Sequence, residues 1–125
     1  MRKRVVSKKI ARILNQVPPD YYQKGIKSNF FKSLWHKTKI ETFKLLTKEF
    51  DPKRILDVGC ASGMMTNRIS KVFPKAKILA IDACGPAITY GKKKYPKISF
   101  RVADAHDLPF PDNTFDLITC YETIE

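Results

Sequence analysis

The spacing of apolar positions changes character at residue 54. Before it, apolar residues recur at helical intervals; after it, short apolar runs alternate with amphipathic stretches that end in proline. Val6, Ile10, Ile13, Leu14 and Val17 form one face of a helix over residues 5–17, at the three- and four-residue spacing of a helical stripe. Pro18-Pro19 ends it, because neither ring carries an amide hydrogen and the first disfavours helical backbone at Val17. Residues 20–25 read as a turn-rich connection. A second helix begins after Ser28 or Asn29, both good N-caps, and runs to about Phe50, where Asp51-Pro52 breaks it. Phe31, Trp35, Phe43, Leu46 and Phe50 fall mostly on one side of it, which is expected to cover one face of a sheet; a ligand role for Trp35 or His36 is the alternative.

Strands are expected over residues 54–58, 77–81, 98–102 and 115–120. Helices are expected over 63–73, with Met65, Ile69 and Val72 inward, and over 86–95, opened by Pro86 and closed by Pro96. Residues 104–114 form a polar, proline-bearing loop. Strands separated by helices imply right-handed crossovers and a parallel sheet. The fold class is therefore α/β, a partial Rossmann-like sheet of about four strands with flanking helices, preceded by N-terminal helices. The chain divides into a basic amphipathic helix (1–18), a turn with a covering helix (19–53) and the sheet-forming part (54–125).

Charge sharpens that division. The 125-residue chain carries a net charge of +12. Residues 1–54 hold 15 Lys/Arg against 4 Asp/Glu, and residues 55–125 hold 9 against 8. The basic part reads either as a solvated surface or as a contact for an anionic partner, nucleic acid or membrane surface. Its first helix also faintly resembles an organellar transit peptide. Cys60, Cys84 and Cys120 are odd in number, without a CxxC pair, and His36 and His106 are the two histidines. Free thiols, a cytoplasmic location and no metal site are expected. No apolar run is long enough to span a bilayer, and no secretory core follows the basic start.

Candidate chemistry concentrates at the strand ends. Residues 55–63, Ile-Leu-Asp-Val-Gly-Cys-Ala-Ser-Gly, read as a buried strand, an acid and a small-residue turn leading into a helix. Such a turn lets backbone approach a nucleoside-like ligand. The second strand ends at Asp82, 23 residues after Gly59, where a carboxylate accepts hydrogen bonds from both ribose hydroxyls. The third ends at Ala103-Asp104-Ala105, where a carboxylate meets the exocyclic amine of adenine. The fourth ends at Cys120-Tyr121. A dinucleotide-binding turn, Gly-x-Gly-x-x-Gly, would place glycines where the chain has Gly59, Ala61 and Met64. Asp57 also repels a pyrophosphate, whereas it suits a ligand with an amino group and a sulfonium.

Together these residues resemble the class I S-adenosylmethionine (SAM)-dependent methyltransferases. Residues 55–66 resemble the first motif, with Ala61 at the usual middle glycine; Leu79-Ala80-Ile81-Asp82 resembles the second and Ala103-Asp104-Ala105 the third. Residues 108–116 are similar to a segment of the small-molecule branch, which includes quinone-biosynthesis-like enzymes. Pro19-Asp20-Tyr21-Tyr22 resembles that branch's N-terminal lid. The resemblance implies strand order 3-2-1-4, SAM as cofactor, and contacts to it from Tyr22, Asp57, Gly59, Cys60, Ala61, Ser62, Gly63, Asp82, Ala83, Asp104, Ala105 and Tyr121. It implies methyl transfer to O, N or C of a small-molecule or lipid-like acceptor; His106 is a candidate base or else a loop residue near the adenine, Tyr121 and Glu122 are candidates near the methyl group, and no catalytic residue is assigned. A non-catalytic SAM-binding or interaction module and an RNA methyltransferase are the alternatives. The family fold has seven strands and this chain supplies four. A truncated product or fragment, or association through the fourth-strand edge, is therefore expected.

Overall fold

The computed structural model describes residues 29–121 throughout and, before them, residues 12, 13, 15, 16, 18–21, 24 and 27. Arg12 and Ile13 are helical; the rest of the expected 5–17 stripe, Tyr22 and Glu122 lie outside the described residues. Three helices and four strands follow one another as α1 (Phe30–Leu46), β1 (Arg54–Val58), α2 (Met64–Val72), β2 (Lys77–Asp82), α3 (Gly85–Lys94), β3 (Ser99–Val102) and β4 (Leu117–Cys120). The sheet order is β3-β2-β1-β4, and every pairing is parallel. The chain moves outward from β1 through β2 to β3, then returns to the other side of β1. The switch point therefore lies at the carboxyl ends of β1 and β4, where open α/β sheets bind their ligands.

The strands alternate their faces. On one face Ile55 and Ile78 pack with Ile69 of α2 and with Ile40 and Phe43 of α1, while Ala80 and Phe100 pack with Ile88 of α3. On the other face Leu56, Val58 and Ile81 are covered by Phe110 and Phe115 from the loop before β4, two rings set edge-to-face with centroids 5.1 Å apart. Asp116 joins the entry points of β1 and β4. Its Oδ2 accepts the Lys53 and Arg54 amides at 2.9 and 2.8 Å, and these backbone bonds chiefly hold its carboxyl below the usual range. The Asp116 amide also donates to the Arg54 carbonyl at 2.9 Å, and β4 itself runs from Leu117 rather than from residue 115.

Helix α1 departs from expectation in both length and orientation. Asn29 caps it, its side chain accepting from the Phe31 and Lys32 amides. It ends at Leu46, with the buried Thr47 hydroxyl donating to the Phe43 carbonyl at 2.7 Å. Of the five residues expected to face the sheet, Phe43 alone is buried, at 5% exposure; Phe31, Trp35, Leu46 and Phe50 face outward. The helix is apolar on two opposite sides, and packing decides between them. Phe43 meets Phe73 and Tyr121 edge-on at 5.9 and 6.4 Å, and Arg68 Nη1 donates to the His36 carbonyl at 3.0 Å, which sets the rotation of the helix. Among the described residues no helix is long and apolar enough to cross a membrane.

Candidate functional site

The turn after β1 is wound by left-handed backbone. Gly59, Ala61 and Gly63 have φ of 71°, 48° and 84°. The Gly59 and Cys60 amides donate to the Ile81 carbonyl at 2.8 and 3.0 Å, and the Gly63 amide donates to the Cys60 carbonyl at 2.9 Å. These bonds fold the turn over the end of β2, and the small residues are what such a path requires. Ala61 is the one of the three that carries a Cβ. The left-handed region costs an L-residue roughly 1–2 kcal/mol, and glycine's extra chain freedom returns about 0.5–1 kcal/mol of that. Ala61→Gly is therefore expected to raise stability by about 0.5 kcal/mol, read as a higher urea midpoint; a lower midpoint would contradict the strain.

Asp57 lies beneath the turn at 2% exposure. Its Oδ2 accepts the Thr66 hydroxyl at 2.5 Å and its Oδ1 the Thr119 hydroxyl at 2.8 Å. Burial pushes its carboxyl above the ordinary value, the two hydroxyls oppose that shift, and Asp82 adds to it. The carboxylate is thus held by neutral donors in a dry setting, an arrangement that favours the approach of a cation.

Asp82 closes the neighbouring strand end. Its Oδ2 accepts the Ala61 amide and its Oδ1 the Cys84 amide, both at 2.8 Å. One carboxylate therefore ties the two turns together, and each oxygen retains further acceptor capacity. Asp104, half-buried after β3, accepts the His106 amide through Oδ1 at 2.9 Å, and the His106 imidazole lies at the same distance from that oxygen.

A cleft of about 580 Å³, including its open mouth, lies at the switch point. Asp57 and Gly59 to Ser62 form its floor, Met64 and Met65 one wall, Tyr121 another, and His36 and Lys39 reach in from α1. The cleft gathers Asp57, Gly59, Cys60, Ala61, Ser62 and Tyr121 of the expected set. Gly63, Asp82, Ala83, Asp104 and Ala105 are not in its lining; Asp82 adjoins it through the Ala61 amide. His106 is exposed on the loop beyond β3 and is likewise not in the lining. Burial, followed by Asp57, raises the Tyr121 phenol, and burial raises the Cys60 thiol. Both groups are protonated near neutrality, so neither supplies a ready base or nucleophile. Lys39 was not legible as a site residue, because the pattern assigned the sheet-facing side of α1 to Phe31 and Trp35; its one signal is its place three residues after His36.

Comparison with known proteins agrees with this geometry. Residues 55–125 match the family model described as a methyltransferase domain. An uncharacterized methyltransferase of Schizosaccharomyces pombe is 28% identical over an alignment of 116 positions that covers 83% of this chain and 42% of the relative. The ubiquinone/menaquinone biosynthesis C-methyltransferase of Pseudomonas paraeruginosa is 30% identical over an alignment of 121 positions that covers 90% of this chain and 46% of the relative. Among solved structures, a plantazolicin methyltransferase in complex with a substrate analogue and S-adenosylhomocysteine (SAH) matches with a TM-score of 0.58 at 27% identity, covering 88% of this chain and 47% of that one. The chain spans less than half the length of each of these proteins. With its strand-end acids, its left-handed turn and its parallel sheet, the chain belongs to the class I SAM-dependent methyltransferases.

Proposed function

We propose that the protein transfers a methyl group from SAM to a small-molecule or lipid-like acceptor, and that the described strands supply its cofactor side. The observation that carries the reading is the pair of strand-end carboxylates around one turn. Asp57 is buried and satisfied by hydroxyls alone, and Asp82 is oriented by two backbone amides. This donor and acceptor set fits SAM: Asp57 would face its positive end and Asp82 its ribose hydroxyls. Lys39 would meet its carboxylate and Asp104 its adenine amine. Ala61 and the glycines let backbone lie against the nucleoside. When bound, SAM supplies a methyl group on a sulfonium, ready for in-line displacement by a nucleophile. The chain's own part is alignment and exclusion of water, with Met64, Met65 and Tyr121 as the apolar walls.

The small-molecule class is supported by the likeness of residues 108–116 to that branch and by the relative named for quinone biosynthesis. Transfer of a labelled methyl group from SAM tests it. Label in an organic-extractable product supports the reading, and label in RNA with none in the extract overturns the acceptor class.

A pH effect follows from Asp57. Its carboxyl is raised above 3.8 in the fold. Between that value and the raised one, the folded chain holds more protons than the unfolded chain, so stability falls as pH rises through this window. Asp57→Asn is expected to remove that fall and leave the fold at least as stable at neutral pH, while weakening SAM binding. Urea midpoints across the acid range check the first part; an unchanged slope in Asp57→Asn would contradict it.

A further inference from the structure

Helix α1 has a second apolar side that the sheet does not use. Phe31, Leu34, Trp35 and Leu45 lie opposite Ile40 and Phe43, with Thr38 and Thr42 between them. They are 78%, 50%, 60% and 68% exposed. An exposed apolar and aromatic cluster of this kind at the start of the helix, with Leu45 further along the same side beyond Thr38 and Thr42, marks an interaction surface. Lysines border it along both edges: Lys32 and Lys39 on one, Lys37, Lys44 and Lys48 on the other. Lys39 Nζ lies 5.2 Å from the centre of the Trp35 ring. Glu41 and Glu49 are the acids of this segment, and each pairs with a border lysine, Lys44 at 3.0 Å and Lys48 at 3.9 Å.

We propose that α1 docks on the surface of an anionic lipid bilayer, with Phe31, Leu34, Trp35 and Leu45 among the acyl chains and Lys32, Lys37, Lys44 and Lys48 among the headgroups, while Lys39 stays with the cleft. An apolar strip between two cationic edges is the arrangement of a helix lying in the membrane plane. Lysine stems reach outward from such a strip while their ammonium groups stay with the phosphates, and tryptophan favours this boundary. Charge complementarity selects the occupant. Two copies meeting through this face would bring their lysine edges together. RNA would take the cations but leave Leu34 and Leu45 without apolar cover. An anionic bilayer satisfies both. The inner side of the same helix contributes His36 and Lys39 to the cleft, so a docked α1 would hold the cleft beside the membrane. That consequence rests on the methyl-transfer reading; the docking does not.

Trp35 is the single tryptophan of the chain, so its emission reports the docking directly. The full chain is mixed with vesicles of phosphatidylcholine containing phosphatidylglycerol, or of phosphatidylcholine alone, and followed by fluorescence and co-sedimentation. A blue shift and sedimentation with the anionic vesicles are expected, at least about tenfold weaker with the neutral ones and weakened by salt. The double variant Phe31→Ser, Leu34→Ser, whose residues are exposed and outside the cleft, should lose at least about tenfold in vesicle affinity, with unchanged circular dichroism and SAH affinity. Three results would overturn the proposal: Trp35 emission that ignores vesicles, an equal affinity of variant and wild type, or a blue shift that follows protein or RNA concentration without lipid. A failure of SAH binding with vesicle binding intact would strike the proposed function and leave the docking standing.

Discussion

Asp82→Ala is expected to lower the affinity for SAH by at least about 100-fold and also to loosen the fold. Hydrogen bonds to a charged acceptor contribute roughly 1.5–3 kcal/mol each, and on the proposed reading two ribose hydroxyls would lose theirs together. At about 1.4 kcal/mol per tenfold, even the lower figure for both bonds gives that factor. The structural cost arises because the same carboxylate accepts the Ala61 and Cys84 amides at 2.8 Å. Water can reach this half-buried position, so the loss of stability stays at about 1–2 kcal/mol. Asp82→Asn separates the two effects in part, since its one carbonyl oxygen keeps an acceptor for one of the two turn amides while the charge is gone. Equilibrium dialysis with labelled SAH beside urea unfolding reads both quantities. An Asp82→Ala chain that unfolds earlier yet binds SAH as before would show that this acid serves the turns alone.

Gly63→Ala is expected to cost about 2–5 kcal/mol of stability. Two independent terms add. At φ 84° a side chain is strained by roughly 1–2 kcal/mol. A Cβ there would also stand 2.4 Å from Phe100 Cζ and 2.6 Å from its Cε1, an overpacking that costs about 1–3 kcal/mol. The Phe100 ring lies in a slot between this turn and α3, for a Cβ on Gly91 would meet the same ring at 2.8 Å. Phe100→Leu in the Gly63→Ala background should recover the packing part but not the backbone part, so the two changes together cost less than their sum. Gly91→Ala should be milder, because alanine's better helix propensity, worth about 1 kcal/mol, offsets part of the contact. Additive losses for Gly63→Ala and Phe100→Leu would contradict the slot.

These expectations show where local pattern sufficed and where it did not. The four strands and the helices α2 and α3 were legible because each is short, apolar on one side and bounded by proline, glycine or an acid. The carboxylates Asp57 and Asp82 were legible because each ends a strand beside a turn, a relation visible in linear order. The groups that define their surroundings were not. Thr119 reaches Asp57 across 62 residues of chain, and Asp116 clamps Lys53 and Arg54 over a similar interval; no periodicity reports such pairs. Gly63 belongs to the turn expected to meet the ligand, and its missing Cβ also makes room for Phe100, a contact that no linear pattern reports. The orientation of α1 was lost for a different reason. With apolar residues on two opposite sides, its pattern has no single preferred face, and the fit of Ile40 and Phe43 against β1 and α2 decided the matter. His36 and Lys39 enter the cleft as a result of that choice.

The central claim is that the turn between Asp57 and Asp82 holds SAM. Calorimetric titration of the folded chain with SAH, with NAD as the control ligand, tests it most directly. Saturable heat with SAH, none with NAD, and loss of the SAH signal in Asp82→Ala are the predicted results. A folded chain that takes up no SAH, or one that binds NAD and still does so after Asp57→Ala, would contradict it.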